Sequence, residues 1–204
     1  MKIICIGRNY PDHVKELDNE IPSEPLFFLK PETAILPKRN PLYYPEFTND
    51  LQFEIEVVLR VCKLGKNVQK KFANKYYDKI GLGIDFTARD LQRSCKEQGH
   101  PWEKAKGFDG SAVLGKKFIP KEEFEDLNNI EFHLNKNGEL AQSGNTRDMT
   151  FQFDLIIEHI SRYFTLKIGD LIFTGTPSGV GPVKINDKLE GYLQGEKILD
   201  VNIK

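Results

Sequence analysis

Hydrophobic and polar positions alternate most clearly over residues 51–60. Leu51, Phe53, Ile55, Val57 and Leu59 share one face, and Gln52, Glu54, Glu56, Val58 and Arg60 share the other. A period of two predicts a strand with one buried face. Short apolar runs at 2–7 and 26–29 read as strands, the second ending at Lys30-Pro31. Residues 10–19 carry Pro11 early and only Val14 and Leu17 as an apolar pair, which predicts a short polar helix too thinly striped to anchor firmly. Residues 68–78 read as a second polar helix. Ile80–Phe86 is a Gly-rich strand ending at Asp85, after which Thr87 can N-cap a helix from Ala88 to about Gln98 with Leu91 and Cys95 inward. Asn137-Gly138 inside 130–140 is a hairpin turn signal. The best amphipathic helix spans 152–164, with Ile156, Ile160, Tyr163 and Phe164 on one side. Strands at 171–174, 189–193 and 198–203 close the chain. Strands outnumber helices roughly two to one, which predicts an α+β, mainly β architecture with a few covering helices.

Composition narrows the class. The 204 residues are 39% hydrophobic and 29% charged, which excludes intrinsic disorder. Glycine and proline punctuate the whole length without a linker or repeat, so residues 1–204 form one domain. Lys plus Arg is 29 against 30 for Asp plus Glu, which gives no footprint for nucleic acid or an anionic membrane. No apolar run is long enough to span a bilayer. Cys5, Cys62 and Cys95 are too scattered for a disulfide framework or a thiolate zinc site, and the N-terminal apolar run is too short for a signal peptide. A reducing cytoplasm is the expected location.

Candidate chemistry starts from Glu54 and Glu56. At i, i+2 on a strand they point the same way, and like charges side by side repel unless a cation neutralises them. Spacing alone favours a solvated edge over a metal site. Asp85, approached through Gly81-Leu82-Gly83-Ile84, adds a carboxylate that could lie inside. Three hard oxygen donors with no His or Cys would select Mg²⁺ or Mn²⁺ over zinc. They would leave a net −1 beside the ion, for which Lys106 is the candidate counter-charge. His13 and Glu16 lie at i, i+3 on the first helix, within contact reach and suited to general-base work, although spacing alone favours a chance pair. Gly110–Lys117 approaches a phosphate-binding loop but ends in Lys117 where a hydroxyl is required, so that reading is rejected. The Gly175–Gly181 turn could present backbone N–H groups to an anion or be a plain tight turn.

Together these segments closely resemble the fumarylacetoacetate hydrolase family, especially its short single-domain acylpyruvase and oxaloacetate decarboxylase branch. The resemblance runs from Ile6-Gly7-Arg8-Asn9-Tyr10 through Glu54-Ile55-Glu56, the run Asp85 to Gln92, the pair Trp102 and Lys106, and Gly169-Asp170 to Pro177. It implies a β-sandwich roll or barrel, a homodimer, and Mg²⁺ or Mn²⁺ held by Glu54, Glu56 and Asp85. It further implies a small 2-oxo acid substrate contacted by Arg8, Gln92, Lys106 and Thr176, under a mobile lid at 10–20 that brings His13 and Glu16 over the site. The activity expected is hydrolysis of the C–C bond of 3-acylpyruvates such as acetylpyruvate or fumarylpyruvate, with oxaloacetate decarboxylation as a side activity. Isomerisation or tautomerisation of 2-hydroxy-dienoates is the alternative. A non-catalytic β-rich module is the reading from another class. Ala112–Lys117 departs from the Pro-Leu-Gly-Pro segment often found there, so substrate preference does not transfer.

Overall fold

A computed structural model describes residues 1–204. In chain order its elements are β1 (Ile3–Gly7), α1 (Pro11–Glu16), β2 (Leu26–Lys30), β3 (Leu51–Phe53), β4 (Ile55–Val61), α2 (Lys70–Ala73), β5 (Tyr77–Asp85) and β6 (Thr87–Ala88). There follow α3 (Arg89–Gln98), α4 (Glu103–Lys106), β7 (Ala112–Leu114), β8 (Ile119–Pro120), β9 (Glu131–Lys136) and β10 (Glu139–Asn145). The chain closes with α5 (Phe153–Tyr163), β11 (Leu171–Phe173), β12 (Gly181–Pro182), β13 (Lys188–Leu193) and β14 (Glu196–Asn202).

A seven-stranded sheet runs in the order β2-β1-β11-β4-β5-β7, with β8 also on β5. Only the β1–β11 pair in it is parallel. A four-stranded sheet, β10-β9-β13-β14, packs over its central strands, and a small sheet of β12, β3 and β6 joins them at one end. The fold is therefore mostly β with few helices, as the patterning predicts, and it curls into a half-barrel, in keeping with the roll or barrel that the family resemblance implies. Ile55, Val57 and Leu59 of β4 and Ile80, Leu82 and Ile84 of β5 face the main core, where they meet Phe132, Leu134, Leu189 and the α5 side chains Ile156 and Ile160. The other face of the large sheet carries a small apolar cluster, Ile3, Cys5, Val58, Leu171 and Phe173. Asn137 and Gly138 both take positive φ, the primed turn that a right-twisted hairpin requires.

Three elements differ from the patterning. The strand expected over 51–60 breaks at Glu54. Its first part pairs with β6 and β12, its second with β5 and β11, and the Gln142 side chain accepts the Ile55 N–H at 2.9 Å across the junction. The helix expected over 68–78 shrinks to Lys70–Ala73. That turn buries only Ala73, so it has no apolar stripe to extend, and Tyr77 begins β5 instead. Thr87 is not a helix cap: it lies in β6, and α3 starts at Arg89 with no side-chain cap at all.

Candidate active site

The β4–β5 register builds the site. Ile55 faces Ile84 and Glu56 faces Gly83, while the Asp85 N–H donates to the Glu54 carbonyl oxygen at 2.9 Å. Because alternation sends the apolar side chains of both strands into the main core, Glu56 and Asp85 emerge together on the opposite face. Gly83 must be glycine, since a Cβ there would lie 2.9 Å from the Val113 carbonyl oxygen and closer still to the Phe173 ring. Glu54, Glu56 and Asp85 are 5%, 2% and 1% exposed, so the solvated-edge reading fails. Their oxygens can all come within 4.8 Å of one another.

Charge around the three is arranged unevenly. Lys106 donates to Glu54 Oε2 and Asp85 Oδ2 at 2.8 Å each and to Thr87 Oγ1 at 2.5 Å, which uses all three of its N–H groups. Arg89 donates to Glu54 and, at 2.9 and 2.7 Å, to Gln52 and Gln92. Burial pushes the Glu54 carboxyl up, but Lys106 and Arg89 overcome this and hold it well below the usual carboxylate range. Glu56 has no such partner. It accepts only the Gly175 N–H at 2.7 Å, and burial together with the charges of Asp85 and Glu54 pushes its carboxyl well above the usual range. Lys30 is fully buried and reaches within 2.8 Å of Asp85 Oδ1. It makes an ion pair there without a hydrogen bond, because its three N–H groups are shared among Ser111 Oγ and the carbonyls of Lys106, Phe86 and Ser111. Asp85 Oδ1 is therefore a buried acceptor with no hydrogen bond. A buried Asp85 oxygen with no hydrogen bond, a Glu56 carboxylate with no cation of its own and a cluster of three hard oxygen donors are what a divalent Mg²⁺ or Mn²⁺ ion would satisfy.

His13 and Glu16 are brought together as well. His13 Nδ1 lies 2.9 Å from Glu16 Oε2, and His13 is buried. The apolar stripe of α1 is thin but docked: Val14 is buried, and Leu17 lines the same cavity as His13. Glu16 Oε1 also accepts the Gly179 N–H at 2.9 Å. The Gly175–Gly181 turn thus does present backbone donors to anions, but the anions are the protein's own Glu56 and Glu16. The cavity is about 40 Å³ and is lined by Arg8, His13, the three carboxylates, Arg89, Gln92, Lys96, Trp102 and Lys106, among others. A far larger cleft of about 670 Å³, between residues 36–41 and β14, contains none of these.

The chain matches the family model described as fumarylacetoacetate (FAA) hydrolase C-terminal over residues 2–204. It belongs to that family. It is 44% identical over 193 residues to oxaloacetate tautomerase FAHD1, mitochondrial, of Bos taurus, covering 95% of this chain and 87% of that one. A solved fumarylacetoacetate hydrolase family structure from Yersinia pestis superposes with a TM-score of 0.95 at 39% identity, covering 100% of this chain and 93% of that one. The fumarylpyruvate hydrolase of Pseudomonas aeruginosa, solved in complex with Mn²⁺ and pyruvate, superposes at 0.93 and 33% identity, covering 100% and 89%.

Within this family frame, Thr176 is the expected contact that stands apart. It is buried, its hydroxyl accepts from Gln142 Nε2 at 2.9 Å, and it is not among the residues lining the cavity. Gln92 does line the cavity, but its Oε1 is held by Arg89. Sequence reasoning missed Lys30, Arg89, Lys96 and Gln142. Lys30 was visible only as the residue that ends a strand before Pro31, and Arg89 only as part of the run from Asp85 to Gln92.

Proposed function

We propose that this protein is a divalent-cation-dependent enzyme that moves a proton at C3 of a small 2-oxo acid, interconverting the keto and enol forms of oxaloacetate. The observation that carries this reading is His13, fixed by Glu16 and lining the same small cavity as the three carboxylates. A bound Mg²⁺ or Mn²⁺ would supply Lewis-acid polarisation of the 2-oxo group. With Nδ1 held by Glu16, Nε2 of His13 is the nitrogen left to carry the proton between C3, where the keto form holds it, and the 2-oxygen, where the enol form holds it. Lys106 and Arg89 hold Glu54, and Lys106 also holds Asp85, in a fixed ligating arrangement. Docking of α1 against the 175–181 turn keeps water from the reacting carbon, and α1 opening as a lid admits substrate.

Charge supports an anionic substrate. Lys30, Arg89 and Lys106 already offset Glu54, Glu56 and Asp85, so a divalent ion leaves the centre positive rather than −1. The mitochondrial relative, 44% identical, carries the name oxaloacetate tautomerase. Decarboxylation of oxaloacetate needs the same polarised 2-oxo group and no proton abstraction from C3. Hydrolysis of a 3-acylpyruvate is the second reading, favoured by the likeness to the fumarylpyruvate hydrolase, with His13 then deprotonating a water. The free thiols of Cys5, Cys62 and Cys95 suit a reducing cytoplasm, and a homodimer is the assembly that the family resemblance implies. No helix is long and apolar enough to cross a membrane.

The test follows enol decay of oxaloacetate with Mn²⁺ or Mg²⁺, beside pyruvate release from fumarylpyruvate. Metal-dependent enol decay that falls 10²–10⁴-fold in His13→Ala, with decarboxylation largely kept, supports the proposal. Acylpyruvate cleavage without enol decay establishes the second reading instead, and no activity on either sinks both.

A further inference from the structure

The 175–181 turn supplies two main-chain donors to the site, the Gly175 N–H to Glu56 and the Gly179 N–H to Glu16. Its front end is tied to β4 and β1. Thr174 donates to the Val57 carbonyl oxygen through its N–H at 3.1 Å and its hydroxyl at 2.8 Å, and Asn9 Nδ2 donates to the Thr174 carbonyl oxygen at 2.8 Å. Its middle is not: residues 176–180 make no main-chain to main-chain hydrogen bond. Apart from the Gly179–Glu16 contact, their hydrogen bonds come from one side chain. Gln142 Nε2 donates to Thr176 Oγ1 and to the Pro177 carbonyl oxygen, each at 2.9 Å. The other end of the same amide, Oε1, accepts the N–H of Ile55, the residue between Glu54 and Glu56. These partners dictate the orientation, because a flipped amide would set oxygen against the Pro177 carbonyl and NH₂ against an N–H. Gln142 is buried, and two residues on, Gly144 leaves room for the Pro177 ring; a Cβ there would stand 2.9 Å from Pro177 Cγ.

One buried amide thus joins the strand that carries two of the carboxylates to the turn that carries the donor for Glu16. With both ends engaged it has little freedom, so the pieces it joins keep a fixed spacing. His13 depends on that spacing at one remove. Glu16 Oε2 lies 2.9 Å from His13 Nδ1, and the other oxygen of the same carboxylate accepts the Gly179 N–H. We infer that Gln142 is a positioning residue for the proton transfer: it sets the 176–179 segment against β4, so that Gly179 fixes Glu16 and Glu16 fixes His13 over the cavity shared with the carboxylates. The inference rests on the proposed 2-oxo acid reading and adds the residue that joins its carboxylate half to its base half. Gln142 acts from outside, since it does not line the cavity. Without it the front end of the turn stays tied through Thr174 and keeps Gly175 on Glu56, and only the base half slips. A base misplaced by about 1 Å is enough to cost about 10²-fold in rate.

The experiment compares wild type with Gln142→Met, which keeps the length of the side chain and loses the amide. It reads Mn²⁺-dependent enol decay of oxaloacetate, Mn²⁺ binding by calorimetry, and amide hydrogen exchange of the metal-free protein. In the variant kcat falls roughly 10- to 100-fold while KM and Mn²⁺ affinity stay within about threefold. Without metal, the Gly179 amide exchanges faster and the amides of β5 keep their wild-type protection. In a Glu16→Ala background, where the link is already cut, Gln142→Met lowers kcat no further, because both changes act through one contact. Gly144→Ala crowds the same turn from the Pro177 side without touching the amide. It shows the same kcat loss, again absent in the Glu16→Ala background, and it carries the test if Gln142→Met does not fold. Losses that multiply in the double variants, a lower Tm with kcat unchanged, or a Mn²⁺ affinity that falls as far as kcat each overturn the inference and leave the 2-oxo acid reading standing. Wild type without metal-dependent enol decay overturns that reading and the inference with it.

Discussion

Glu56 is the one member of the carboxylate triad with no cation, and replacing it should make the metal-free protein more stable. In Glu56→Gln the Gln Oε1 can still accept the Gly175 N–H, which now spans 2.7 Å to Oε2, so the hydrogen bond survives and only the charge is lost. At 4.8 Å, the limit of separation within the triad, two like charges repel by about 3.5 kcal/mol at an effective dielectric of about 20. The protein can escape by protonating Glu56, at a cost set by the 2.5 pH units between the ordinary value of 4.5 and pH 7. At about 1.36 kcal/mol per unit that is about 3.4 kcal/mol, which caps the penalty. Part of it is offset by the surrounding cations, so about 1–3 kcal/mol remains to be gained.

The sign with pH is fixed by the direction of the shift. A carboxyl raised in the fold favours the folded state fully below its unfolded value, and that contribution is lost as pH rises toward the folded value. The gain from Glu56→Gln is therefore near zero at pH 4.5 and grows toward neutrality. Thermal unfolding in EDTA from pH 4.5 to 8 reads it, as a rise in Tm of about 3–10 °C at pH 7 for a chain of this size. Adding Mn²⁺ should stabilise wild type and leave the variant nearly unmoved. Glu54→Gln provides the contrast: it strands Lys106 and Arg89 in a buried site and should lower Tm. A Tm gain in Glu56→Gln that does not depend on pH, or a loss at every pH, would refute this account of the triad.

Divalent-cation affinity should rise about tenfold per pH unit from pH 5 toward the raised Glu56 value, because binding displaces one proton; calorimetry in two buffers of different ionisation enthalpy counts it. Glu16→Gln should weaken the hold on His13 and cut enol decay about 10- to 100-fold with little change in metal affinity, read from paired rate and binding assays. Gly83→Ala should cost about 1–3 kcal/mol by driving a methyl group into the fully buried Phe173 ring, measured by urea unfolding.

The fold was legible wherever the period of two was clean. Residues 51–60 announced both the core face and the shared direction of Glu54 and Glu56, and Asn137-Gly138 announced the hairpin. The break at Glu54 was not legible, because it depends on the Gln142 side chain, 87 residues away, taking the Ile55 N–H. The polar stretch 68–78 misled because its charges suit a helix surface, while the residue that decides its end, Tyr77, is held in β5 beside Phe153. At the site, the acidic residues declared themselves by spacing, whereas the cations did not. Lys30 and Arg89 are single basic residues on β2 and α3, and nothing local marks them as buried.

Those cations change what the site can bind. Counted from sequence, three carboxylates and a divalent ion leave −1, a centre that would repel an acid until Lys106 balanced it. In the fold, Lys30, Arg89 and Lys106 cancel the carboxylates before any ion arrives. The positive charge of a bound divalent ion would then be left for the substrate. A monoanion would leave much of that charge uncompensated in a buried cavity, where uncompensated charge is costly. Net charge of the ligand, more than chain length, should therefore govern which 2-oxo acids bind, and calorimetric titration with mono- and dicarboxylic acids of several lengths should order them by charge first and by length second.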